Sequence, residues 1–129
     1  MTRRAVLILP MLLRGDERTD VLEAVTPLAT ALSNGDADEF MRHIHEDSPG
    51  RRELGDNIRG LLGEAEIVSS VQFTKSEKGR AELDWYMQIK SRALQSVIEQ
   101  RKRPVFVTLR DRAVYTIKPI DFFKPAEIR

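Results

Sequence analysis

AELDWYMQIK, residues 81–90, alternates without a break: Ala81, Leu83, Trp85, Met87 and Ile89 fall on one parity, Glu82, Asp84, Tyr86, Gln88 and Lys90 on the other. A strand sends successive side chains to opposite faces. The stretch therefore predicts a strand with one face in the core and the other turned outward, the pattern of an antiparallel sheet covered on one side. Upstream, Ile67, Ser69, Val71 and Phe73 alternate with Val68, Ser70, Gln72 and Thr74, and a polar turn at residues 75–79 closes that run. Downstream, residues 97–109 and 114–120 read as two further strands joined by a tight turn at Asp111-Arg112. Such short connections predict successive antiparallel hairpins. Asp121-Phe122-Phe123-Lys124-Pro125 follows the last strand as an aromatic plug.

Before residue 65 the period is helical. Val21, Leu22, Val25, Leu28, Ala29 and Leu32 recur three and four apart, which predicts an amphipathic first helix. Pro27 interrupts it, with Thr26 able to cap a restarted helix, so a kink or split is predicted there. Asn34-Gly35 supplies a left-handed end to the helix. Asp36 and Glu39 have capping-box spacing ahead of a short second helix carrying Phe40, Met41 and Ile44. Ser48-Pro49 opens a third, whose stripe is Leu54, Ile58, Leu61, Leu62 and Ala65. Gly55, Gly60 and Gly63 weaken that helix and permit close packing on a sheet. The order, helices first and antiparallel strands after, is that of an α+β domain.

Length and composition bound the function. The chain has 129 residues, 41% hydrophobic and 32% charged, which suits one water-soluble domain. It contains no cysteine, which excludes thiolate catalysis, zinc–thiolate sites and disulfides. Arg3, Arg4 and Arg14 are the only charged residues among the first 15, so the rest of the chain is net acidic although the whole is +1. A nucleic-acid binder shows the opposite balance and a clustered basic face, so no nucleic-acid partner is expected. No P-loop, dinucleotide fingerprint, HExxH or nucleophile elbow occurs, and no cofactor is expected.

The first residues read as an address. A cationic start, Met1 to Arg4, precedes the apolar run AVLILPMLL at residues 5–13, which has the length of a signal-peptide core and is too short to span a bilayer. Leu13-Arg14-Gly15 makes a poor cleavage site; the competing reading is a buried strand or the start of the first helix. Residues 1–15 are read as a signal peptide ahead of a single domain at 16–129. A secreted or periplasmic location follows; without the leader, a cytoplasmic one.

Three stretches together resemble a known family: LATALSNGDADEFMRHI (28–44), AELDWYMQIK (81–90) and VYTIKPIDFF (114–123). They are similar to small bacterial proteins of the nuclear transport factor 2-like superfamily, in which a leader often precedes the domain, and the resemblance covers residues 20–125. It implies a cystatin-like cone, three helices on a strongly curved antiparallel sheet of four or more strands, with the family's first small strand missing or hidden. It also implies a conical pocket, which ketosteroid isomerases, SnoaL-like cyclases, dehydratases and non-enzymatic modules all use. In catalytic branches an Asp or His inside the cone works with a second acid or a Tyr, and no local motif carries those positions onto this chain.

The candidate residues follow from this pattern. Asp84 and Tyr86 share the polar face of residues 81–90 and make the best acid–base pair if that face lines a cavity; if it faces solvent they are ordinary exposed residues. His43 and His45, the only histidines, are two apart and turn to different helix faces, so they do not make a metal site by themselves. His43 lies four residues from both Glu39 and Asp47, which suits a surface pair; a general base at the mouth of the cone is the sharper reading. Phe40, Trp85, Met87, Phe106 and Phe122 are the residues expected to line an apolar pocket, although Trp85 and Met87 also read as core. Arg101-Lys102-Arg103, just before Pro104, splits by parity into Arg101 and Arg103 on one face and Lys102 on the other, and fits a protected edge segment better than an anion site.

Two functions are compatible with these residues. One is an exported, non-catalytic binding or interaction domain with a small apolar ligand or a second copy of itself as partner, dimerising through the outer sheet face. The other is a SnoaL- or ketosteroid-isomerase-like enzyme that moves a proton on a small hydrophobic substrate. A cone filled by Trp85, Met87, Phe106 and Phe122 would remove the second.

Overall fold

The computed structural model describes the backbone of residues 2–126 and the side chains of residues 17–126. Three helices, α1 (Thr2–Asn34), α2 (Ala37–Arg42) and α3 (Arg51–Glu64), precede four strands, β1 (Ala65–Glu77), β2 (Arg80–Ser91), β3 (Ser96–Arg110) and β4 (Ala113–Lys118). A 3-10 turn at Ile120–Phe123 ends the ordered elements. The strands form one antiparallel sheet in the order β1-β2-β3-β4. The α+β cone read from the sequence is the observed architecture. No helix among the described residues is long and apolar enough to cross a membrane.

The alternation that opened the sequence reading is exact along β2: Ala81, Leu83, Trp85, Met87, Ile89 and Ser91 are buried and every intervening residue is half-buried. β1 and β2 meet in a tight hairpin at Lys78-Gly79, both with positive φ, the geometry that matches the twist of the strands it joins. Asp111 and Arg112 do the same between β3 and β4. β3 has β2 along one side throughout, but β4 joins its other side only from Phe106 onward. Pro104 thus sits where β3 has a single neighbour, the position in a sheet where a missing N–H is tolerated.

α1 is one helix through Pro27, and the predicted split there does not occur. Glu23, whose carbonyl loses its usual partner, is exposed and open to water. The helix stops as the sequence indicated, at Gly35 with φ 71. Its buried stripe within the described side chains begins at Val21 and continues through Leu28 to Leu32. α1 also covers the open edge of β1: Ser33 Oγ accepts the Ser69 N–H (3.2 Å), the Arg18 guanidinium stands 5.9 Å from the Phe73 ring, and Ser76 bonds Glu17. The far edge, β4, is covered by the segment after α2. There Val114 exchanges backbone hydrogen bonds with His43 and His45, and Ser48 Oγ bonds the Tyr115 carbonyl. Both edges are therefore shielded from strand addition.

α2 begins as its capping box predicts, with Asp36 Oδ1 accepting the Glu39 N–H at 3.0 Å. α3 packs on the C-terminal segment, and of its glycines Gly60 serves that contact. A Cβ on Gly60 would lie 2.7 Å from Pro125 Cγ. The leader expected at residues 1–15 falls where only backbone is described.

Candidate functional site

The interior of the cone is where the fold places a pocket, and here it is occupied by rings. Trp85 from β2, Phe40 from α2, and Phe122 and Phe123 from the C-terminal turn are each at most 2% exposed. Phe123 meets Trp85 at 5.2 Å, Phe122 at 5.1 Å and Phe40 at 5.8 Å between centroids, all edge to face. That geometry is the favourable one for aromatic quadrupoles. The indole N–H of Trp85 donates to Ser69 Oγ (2.8 Å), so burial leaves it satisfied.

Arg101 is the only ionisable side chain in the buried set among the described residues. Its Nε and Nη2 donate to the Glu99 carboxylate (2.6 and 3.2 Å) and Nη1 donates to the Phe122 carbonyl (2.7 Å). A buried guanidinium demands such a full set of acceptors. Arg103, on the same face as the parity predicts, reaches Asp121 at 3.8 Å. Asn57 of α3 donates to the Ile120 carbonyl (3.3 Å). Arg101 and Arg103 thus hold the C-terminal segment in the cone, a role the sequence left open because it turns on a partner some 20 residues away in the chain.

The sequence-derived candidates separate into groups. Phe40, Trp85, Met87 and Phe122 converge in the core. Phe106 does not join them. It sits between buried Val105 and Val107 on the outer face, paired with Glu82, with the Arg80 guanidinium 4.6 Å from its ring centre. Asp84 and Tyr86 also lie on the outer face, opposite Trp85, half-buried and outside the cone. His43 ends α2 and pairs with Glu39 (Nε2 to Oε2, 2.8 Å), as the surface reading had it. His45 turns elsewhere: the Asp47 N–H donates to its Nδ1 (3.0 Å), which leaves Nε2 to donate to Asp111 (3.2 Å). The two histidines share no ligand position.

Open space lies between α1 and the β3–β4 end of the sheet, part of it against the inward-facing Ala81 and Val107. A cleft of about 500 Å³ is lined by Asp20, Glu23, Leu109, Arg110, Asp111 and Arg112. It shares Asp20 and Leu109 with a recess of about 140 Å³ that includes Val21, Ala81 and Val107. None of the five residues expected to line a pocket lines either space. The sequence carried one sign of the cleft, the carboxylates of Glu17, Asp20 and Glu23 three apart on one helix face. The opposing arginines are brought there only by the hairpin.

No family model and no curated protein matches the chain in sequence. Solved structures do match in shape. A Δ5-3-ketosteroid isomerase from Mycobacterium sp. superposes with a TM-score of 0.63 at 10% identity, over 76% of this chain and 89% of that one. A putative polyketide cyclase from Xanthomonas campestris pv. campestris gives 0.58 at 16% identity, over 78% and 89%. A computationally designed 17-OHP binder gives 0.61 at 8% identity, over 74% and 86%. At these identities the likeness speaks of fold alone, and two enzymes and a binder on one architecture show that the architecture does not choose between them. The chain has a cystatin-like fold, the cone that these structures share.

Proposed function

We propose that the protein is an exported, non-catalytic binding or interaction domain whose working surface is the outside of the sheet. The observation that carries this reading is the filled cone. Proton transfer on a small substrate requires a cavity with two titratable groups aimed into it, whereas the described interior holds packed rings and one guanidinium already committed to three acceptors.

The outer face is suited to a second copy of the chain. Tyr86 lies opposite Lys102 and Ser70, with Gln88, Phe106 and the 57%-exposed Val68 nearby. A two-fold pairing is self-complementary when one patch carries both charges, and here Glu82 and Asp84 on β2 lie beside Lys102 on β3 and Lys118 on β4. The leader, residues 1–15 with its cationic start and apolar run, supplies export.

The second reading is an enzyme of the isomerase or cyclase kind, favoured by the names of the proteins it resembles in shape. In it Asp84, Tyr86 or His43 would act as acid and base on a small hydrophobic substrate. One assay separates the two. Incubation of the purified chain with a β,γ-unsaturated ketone, followed by absorbance of the conjugated product, is expected to show no rate above buffer. Turnover that is lost in Asp84→Asn or Tyr86→Phe would establish the enzyme instead.

A further inference from the structure

The cleft between α1 and the β3–β4 hairpin has an acidic wall on α1 and a hairpin wall that carries the guanidiniums of Arg110 and Arg112 with the carboxylate of Asp111 between them, and neither reading above uses it. Asp20 and Glu23 stand on α1, Arg110 and Arg112 on the hairpin, and Leu109 lies between them. Among the described residues neither carboxylate is within ion-pair distance of a cation, and Arg112 has no acidic partner. Two of the other groups are held in place by neighbours. The Arg110 guanidinium lies 5.0 Å from the centre of the Tyr115 ring, and Asp111 accepts from His45. Arg112 itself occupies a left-handed position, φ 66, which favours glycine or asparagine. The hairpin tolerates that strain with a guanidinium at the lip of the cleft.

Charge sign narrows what fits. A simple cation is repelled by the two arginines and a simple anion by the three carboxylates, of which Asp111 already faces His45. A molecule that carries both charges meets a partner on each wall. The adjoining recess, which shares Asp20 and Leu109 with the cleft, has Val21, Ala81 and Val107 on one side, a place for a hydrocarbon group, and Glu17 and Ser76 on the other. We propose that this cleft binds a small apolar zwitterion, an amino acid or dipeptide. Its ammonium faces Asp20 and Glu23, its carboxylate faces Arg110 and Arg112, and its side chain covers Leu109 into the recess. All four charged side chains are exposed, so each pairing is screened and the binding is weak and salt-sensitive.

The site is independent of dimerisation and of any chemistry on the outer face, and can fail or hold without either. Titration of the full chain with leucyl-alanine, followed by amide chemical shifts, is the test. Saturable shifts confined to residues 17–23, 79–81 and 107–112 are expected. Acetylating the peptide's amine or amidating its carboxylate should each weaken binding roughly three- to fivefold, the worth of an exposed ion pair. In Asp20→Asn/Glu23→Gln the acetylated and free peptides should bind alike, and in Arg110→Gln/Arg112→Gln the amidated and free peptides should. No saturable shift at millimolar peptide, or equal binding of capped and free peptides to the unaltered chain, overturns the proposal whatever the variants do.

Discussion

Trp85 and Asp84 are neighbours in sequence and lie on opposite faces of one strand. Trp85 is fully buried against Phe122 and Phe123, and its ring also satisfies Ser69. Trp85→Ala should therefore cost about 3 to 5 kcal/mol in chemical denaturation, while Asp84→Ala, on the half-buried outer face, should stay within about 0.5 kcal/mol. Equal small losses would mean that β2 sits in another register. Arg101 and Lys102 make a second contrast. Arg101→Met leaves the Phe122 carbonyl and Glu99 without their donor and should cost about 1 to 3 kcal/mol, whereas Lys102→Met should be close to neutral. The parity of these residues was legible in the sequence. What each one touches was not, because Arg101's partner arrives from beyond the last strand.

At the scale of elements, legibility followed how much of a signal is local. β2 and its hairpins declare themselves through alternation and positive-φ turns, which need no tertiary context. The capped start of α2 and the glycine end of α1 are equally local. Phe106 is the failure that teaches most. β3 slips register against β2 between Ile89 and Lys90 and against β4 between Thr108 and Leu109, and its inward residues at 105 and 107 are the valines. Ring size suggested the core for Phe106; its place outside follows from parity only once Arg101 is known to point inward, which the structure supplies. At Pro27 the helix continues, so of the expected kink or split the split does not occur. For α1 the leader reading gives a direct expectation. Protein recovered from native cells should lack roughly the first 13 to 20 residues by mass spectrometry, and intact Met1 would contradict it.

For the whole molecule, the sheet's two faces divide the work. The concave face holds the domain together, and in the proposed function the convex face takes a second copy. Light scattering should report a dimer at micromolar concentration, and Tyr86→Arg, which sets like charges beside Lys102 at the centre of the face, should return a monomer of unchanged fold. A monomer at every accessible concentration of the unaltered chain would refute the interface. The account as a whole rests on the cone being full, and the chain's single tryptophan reports on that from inside it. Acrylamide quenching of Trp85 fluorescence in the native protein is the most direct test. A blue-shifted emission that resists quenching until the protein unfolds, and that small apolar ligands do not shift, is what packed rings predict. Ready quenching under native conditions, or a spectrum that moves when a small apolar ligand is added, would mean that the cone is open, and with it the case for a catalytic pocket.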